Sequence, residues 1–354
     1  NIGFNCTPPT NRPDITREID VIEEIARIYG YDNIPTDNSL YGSYSLGQTD
    51  SNSQFQSIIE TLSGFGFHQI YSNSLQSENI ANFPNKDSVP MMNPLSKDMS
   101  FLRTSLLPGL VKAADYNIKN STHSFKLYEL DCIHKKSGDK IEDIKRYMRL
   151  SGIIVGNEIN ESVHTRPILY DIYSIKGYVY ALLNDKLHLN VKIESTDSDL
   201  YDNAYNILIE DNIIVGTFGK LSEKLFKILK VDKYDIYSFD LDIETALSQR
   251  KTIQYNTINI FPKISRRINL VLEVSASVGP IIELIEKKCY ENLTDVYPVE
   301  IFEDNVNIGE DKKSVTFEMV FQDREKTLED KDVNPIIDEI IDIAEKDFNA
   351  KLRL

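Results

Sequence analysis

Four carboxylates near the start of the chain, Asp14, Asp20, Glu23 and Glu24, have the type and spacing to hold a hard cation. Asp20, Glu23 and Glu24 stand at i, i+3 and i+4, so a helix would carry them on one face. Magnesium takes oxygen ligands, commonly one or two carboxylates with waters completing the shell. Like charges at i, i+4 cost an isolated helix about 0.2–0.5 kcal/mol, which a nearby cation would relieve. A solvated helix face explains the same residues, because Glu23 and Arg27 form an i, i+4 pair of favourable orientation. Spacing leaves both readings open. A magnesium enzyme built on these acids would also need a nucleophile or a second acidic cluster, and the sequence offers neither.

A second set of residues could meet nucleic acid. Lys263, Arg266, Arg267, Lys312, Lys313, Arg324 and Lys326 lie towards the end of the chain, among Phe261, Tyr297, Phe302, Phe317 and Phe321. Unpaired RNA bases stack on aromatic rings and guanidinium planes. Strand alternation sends about half of such aromatics into a core. The formal net charge of −16 repels phosphate backbones, so any such contact needs a local basic patch or a basic partner. A lone RNA-binding module built on this block is the alternative reading.

Other chemistry finds little support. The five histidines make no HxxxH or HExxH pattern, and Cys6, Cys132 and Cys289 contain no CxxC pair for zinc. Ser96 and Ser105 lack a GxSxG setting. Gly216 and Gly219 fit a strand turn better than a phosphate loop. The few separated cysteines imply inert or buried thiols in a reducing, cytoplasmic compartment. The start of the chain shows no basic-then-apolar leader, and no apolar run approaches the roughly 20 residues of a membrane span.

At 354 residues, several domains are expected. Three blocks carry these residues. In the first, 1–36, prolines keep the start extended. A helix over 16–29 follows, capped by Thr16 or Asp14, with Ile19, Ile22, Ala26 and Tyr29 as its apolar face and Gly30 closing it in a left-handed conformation. The segment 37–53 reads as a polar linker. The second block, 37–252, has helices over 54–63, 108–117, 172–184 and 222–229. Strands are expected over 68–72, 125–130, 149–155, 205–209 and 213–218. Irregular mixing of the two implies a largely antiparallel sheet with packed helices. The third block, 258–354, has strands over 268–274, 293–303, 313–322 and 351–354. Helices are expected over 277–288 and 333–348, the latter with Ile336, Ile337, Ile340, Ile341, Ile343 and Ala344 inward. That order is the split ferredoxin-like arrangement.

The run Arg12-Pro13-Asp14-Ile15 through Ile19-Asp20-Val21-Ile22-Glu23-Glu24 to Tyr29-Gly30-Tyr31-Asp32-Asn33-Ile34-Pro35 resembles a segment of the beta subunit of bacterial-type phenylalanyl-tRNA synthetase. So do Asn93-Pro94-Leu95-Ser96, Leu102-Arg103-Thr104-Ser105-Leu106-Leu107-Pro108-Gly109-Leu110 and Leu127-Tyr128-Glu129-Leu130 in the second block. Phe261-Pro262 with Arg266, and Val320-Phe321-Gln322-Asp323 with Lys326-Thr327-Leu328, are similar to that family's anticodon-binding domain. The matches run in the family's order along nearly the whole chain, as a C-terminal fragment would show.

The resemblance implies an α+β multidomain chain: a partial B5-type domain (1–36), a degenerate class II synthetase-like core (37–252) and a ferredoxin-fold anticodon-binding domain (258–354). It implies a portion of phenylalanine–tRNA ligase that scaffolds a catalytic alpha subunit in an alpha2-beta2 assembly and contacts tRNA(Phe), with no catalytic residue of its own. Asp14, Asp20, Glu23 and Glu24 match the family's magnesium positions, shared with the alpha subunit. Lys263, Arg266, Arg267 and Lys326 are the tRNA-binding candidates. ATP would belong to the alpha subunit. A class II core places an Arg two residues before a Glu on a strand, and here Leu127 stands before Glu129. The family's editing region has no counterpart in this sequence.

Overall fold

Asp20, three residues into the first helix, turns back to cap it, which sets where α1 (Glu18–Tyr29) begins. Its carboxylate accepts the backbone N–H of Thr16 at 3.0 Å and of Arg17 at 2.8 Å. The cap thus comes from inside the helix, and neither Thr16 nor Asp14 supplies it. Gly30 ends α1 at φ 94°, ψ 120°, a positive-φ conformation outside the left-handed helical region that was expected. No residue of α1 is buried, and Ile19, Ile22 and Tyr29 are exposed. The apolar stripe read from the sequence is therefore real but uncovered among the described residues.

The computed structural model describes residues 3–37, 42, 53–138, 140–210, 212–251, 255, 257–288, 290, 292–304 and 308–353. Nearly all of the expected linker, together with Cys289 and Leu354, lies outside them. The chain divides into two units, 1–251 and 252–354.

After α1 the first unit runs α2 (Ser53–Gly64), β1 (His68–Gln69), β2 (Leu75–Gln76), α3 (Glu78–Ala81), β3 (Phe101–Leu102) and α4 (Leu107–Lys119). Next come β4 (Phe125–Lys136), β5 (Ile144–Val155), β6 (Asn157–Ile159), β7 (Ile168–Leu169), α5 (Ile172–Tyr180) and β8 (Val191–Thr196). β9 (Tyr201–Ile209), β10 (Ile213–Leu221), α6 (Glu223–Leu229), β11 (Ile236–Asp242) and α7 (Ile243–Ser248) complete it. Seven strands make one sheet in the order β1-β4-β5-β11-β10-β9-β8, antiparallel except for the β1–β4 pair. One face buries Tyr128, Leu150, Phe218 and Phe239 against Ile58 and Leu62 of α2 and Ile175 and Val179 of α5. The other buries Leu127 and Ile153 against Leu110 and Val111 of α4 and Phe226 of α6. Each such side chain contributes roughly 1.5–3 kcal/mol on leaving water. Both faces are covered, which is why β5 reads as a continuous apolar run at its end.

The second unit is a four-stranded antiparallel sheet in the order β13-β14-β12-β15. Its elements run β12 (Ile264–Glu273), α8 (Gly279–Lys287), β13 (Leu293–Phe302), β14 (Lys312–Phe321), α9 (Asp330–Phe348) and β15 (Lys351–Leu352). This is the split arrangement expected. Ile268, Leu270, Val315, Phe317 and Phe321 face Ile281 and Ile285 of α8 and Val333, Ile340 and Ala344 of α9. Ile336, Ile337 and Ile341 pack at the margin of that core, whereas Ile343 falls outside it.

Candidate functional site

The carboxylates of the first block are drawn together by arginines. Arg12 donates to Asp14 through Nε at 3.0 Å and Nη2 at 2.7 Å, and its Nη2 also reaches Glu24 at 2.6 Å. Arg27 pairs with Glu24 from the other side. These bonds, Arg12 first and then Arg27, hold Glu24 down at about pKa 2. Asp20 is also lowered to about 2, first by the Thr16 backbone N–H and then by Arg17. Asp14 is lowered chiefly by Arg12. All three are therefore ionised across the physiological range and offer the hard oxygens magnesium takes. Glu23 is exposed. Among the described residues no three acids, histidines or cysteines stand close enough to enclose an ion by themselves.

On β4, beside the edge strand β1 of the seven-stranded sheet, Glu129 is wholly buried. Its Oε1 accepts the Ser72 backbone N–H at 2.9 Å and Arg103 Nη1 at 2.7 Å, and its Oε2 accepts the Ser72 hydroxyl at 2.7 Å. Arg103 is equally buried; its Nε donates to the Cys132 carbonyl at 3.0 Å, and its Nη2 stands 2.7 Å from Asp131 Oδ2. Gly109 of α4 makes room for this arrangement, because a Cβ there would lie 2.2 Å from Ser72 Oγ. Glu129, Ser151, Asp240 and Thr217 are successive cross-strand neighbours and make a polar row on that face. Arg149, two residues from Ser151 on β5, pairs with Asp240. The sequence reading gave Arg103 no role. The available signal was one charge among Phe101, Leu102, Leu106 and Leu107, since an arginine in an apolar run is rarely buried unless paired.

The tRNA candidates of the second unit divide between two faces. Arg267 points to the sheet face away from α8 and α9, where its Nη2 meets Glu318 at 2.7 Å. The register sets Tyr297, Glu318 and Arg267 in one row across three strands. Tyr297 and Phe302 are each 44% exposed on this face, whereas Phe317 and Phe321 are core. Arg266, one residue along, turns to the helix side and pairs with Asp330 at the start of α9. Lys326 pairs with Asp332 there at 2.8 Å, and Lys263 reaches Asp295 at 3.8 Å. The structure thus does not gather the four cations into one patch. Of the thiols, Cys6 is exposed, and Cys132 is half-buried with its pKa raised mainly by that burial.

A family model described as "Phenylalanyl tRNA synthetase beta chain CLM domain" matches residues 38–243, well over half of the chain. The chain belongs to this family. Models for the ferredoxin-fold anticodon binding domain and the tRNA synthetase B5 domain match 259–353 and 1–31. The chain is 30% identical over 345 residues to the phenylalanine–tRNA ligase beta subunit of Staphylococcus epidermidis, covering 96% of this chain and 42% of that protein. It is 28% identical over 376 residues to the same subunit of Bacteroides fragilis, with 99% and 44% covered. The chain therefore spans less than half the length of these relatives. A pyrrolysyl-tRNA synthetase from Desulfitobacterium hafniense superposes with a TM-score of 0.43 at 10% identity, over 55% of this chain and 67% of that one. Among the described residues no helix is long and apolar enough to cross a membrane.

Proposed function

We propose that this chain is the non-catalytic beta-subunit portion of a phenylalanine–tRNA ligase, scaffolding a separate alpha subunit and contacting tRNA(Phe). The observation that carries this is the Arg103–Glu129 pair. A site that clamps ATP needs positive groups turned towards the phosphates, where charge develops in the transition state. Here Arg103 is spent inside the protein on Glu129 and Asp131, Arg149 is spent on Asp240, and Leu127 stands where a class II arginine would. ATP accordingly belongs to the alpha subunit in this reading, and the core is a degenerate class II sheet retained for assembly.

The tRNA contact falls to the uncovered face of the second unit, with Tyr297 and Phe302 as stacking platforms and Arg267 beside them. Lys263, Arg266 and Lys326 would act only by exchanging their acidic partners for phosphates. Magnesium would be held by Asp14, Asp20, Glu23 and Glu24 with ligands added by the alpha subunit, and would supply positive charge that the neighbouring arginines supply here. An alpha2-beta2 assembly in the cytoplasm belongs to the same proposal. A lone RNA-binding module would leave the seven-stranded core without a task.

Phenylalanine-dependent exchange of pyrophosphate into ATP tests the reading. The chain alone should show none, and its complex with an alpha subunit should show it. Exchange catalysed by the chain alone would overturn the non-catalytic assignment.

A further inference from the structure

A cleft of about 600 Å³ opens in the first unit, beside the start of β4 and the residues after β5. Asn117, Asn157 and Asn160 line it together with Lys126, Glu158 and Tyr170. Lys126 is held by aromatic rings. Its Nζ lies 4.9 Å from the centre of the Tyr178 ring and 5.8 Å from that of Phe67, and it donates to Tyr178 Oη at 3.0 Å. Arg103, Arg149 and Lys220 of the same unit, by contrast, each pair with an acid. No carboxylate lies within 4.0 Å of Lys126 among the described residues. Aromatic faces attract an ammonium group without cancelling its charge. The result is a fixed cation at a polar cleft, whose lining also holds the exposed Glu158, touched by Ser174 Oγ at 3.5 Å.

We propose that this cleft binds a ribonucleotide. The phosphate would take the Lys126 ammonium, the ribose hydroxyls would donate to Glu158, and the three amides would complete the polar contacts. One free cation and one carboxylate match that ligand better than they match a bare anion, which Glu158 would repel. The volume lies within the usual range for small-molecule sites, roughly 300–1,000 Å³. The ligand is either a free nucleotide or one unit of an RNA chain. The inference concerns the first unit and does not depend on the tRNA face of the second.

Calorimetric titration of the whole chain with AMP tests it. Saturable binding is expected. Lys126→Met should weaken it by about tenfold or more, as loss of a charge-assisted bond does, while Lys126→Arg retains it. Glu158→Gln should weaken AMP but leave 2′,3′-dideoxy-AMP unaffected. Unfolding midpoints of the three variants should stay at the wild-type value. Displacement of AMP by a tighter-binding tetraribonucleotide would identify the ligand as RNA, and weaker binding of the oligomer would identify a free nucleotide; either result supports the site. Absence of binding by both ligands, or binding indifferent to Lys126→Met, overturns it.

Discussion

Arg103 Nη1 lies 2.7 Å from Glu129 Oε1, and neither side chain reaches solvent. Through Ser72, Glu129 and Cys132 this guanidinium joins the segment after β1, the end of β3 and the middle of β4. A charge so placed is costly to strand. Arg103→Met should destabilise the first unit by about 3–5 kcal/mol, because it leaves Glu129 buried and unpaired. Replacing both, as Arg103→Met with Glu129→Met, should recover part of that loss. Urea unfolding of the three proteins checks this. A single variant within 1 kcal/mol of wild type would show that the pair is not what holds these segments.

The cap of α1 depends on pH. Asp20 falls from its ordinary 3.8 to about 2 in the folded chain, so its carboxylate favours the fold when ionised. That contribution is complete above the unfolded value and is lost as pH falls through the folded one. Amide exchange at Thr16 and Arg17 should therefore quicken, relative to the intrinsic rate, as pH drops from 3.8 towards about 2. Asp20→Asn should lack the transition. Protection that persists unchanged through that window would remove Asp20 from the cap.

On the second unit, Tyr297→Ala and Phe302→Ala should each weaken tRNA binding by about 1–3 kcal/mol if a base stacks there. Neither side chain is core, so unfolding should hardly change. Filter binding, with urea unfolding alongside, separates the two effects. Unaltered affinity in both variants would take the sheet face out of the interface.

Arg267 and Arg266 should behave differently. Arg267 lies on the uncovered face, and Arg267→Ala should lower the slope of log affinity against log salt by roughly one if it meets a phosphate. Arg266 is turned to Asp330 at the start of α9, where Arg266→Ala should act on helix stability first. Equal salt slopes for wild type and Arg267→Ala would contradict the assignment.

The ferredoxin-like unit was nearly complete in its sequence, because β12, β14 and α9 alternate cleanly between core and surface. The larger core was less legible. β8, β11 and α7 were not legible, and β1 is shorter than the strand expected over 68–72: the Ile70 N–H still bonds the Tyr128 carbonyl, but the Ser72 N–H turns to the Glu129 side chain. The acids of the first block were legible as a cluster, but their occupation by Arg12, Arg17 and Arg27 was not, since Arg12 and Glu24 are twelve residues apart. Arg103 was invisible as a functional residue for the same reason: its partner Glu129 lies 26 positions away.

Co-expression with a phenylalanyl-tRNA synthetase alpha subunit, followed by size-exclusion chromatography with light scattering, tests the central claim most directly. The account predicts a hetero-oligomer containing both chains, weakened by Asp20→Ala together with Glu24→Ala and by removal of magnesium. Elution of the 40.6 kDa chain by itself, with the full-length relative behaving in the same way, would contradict it.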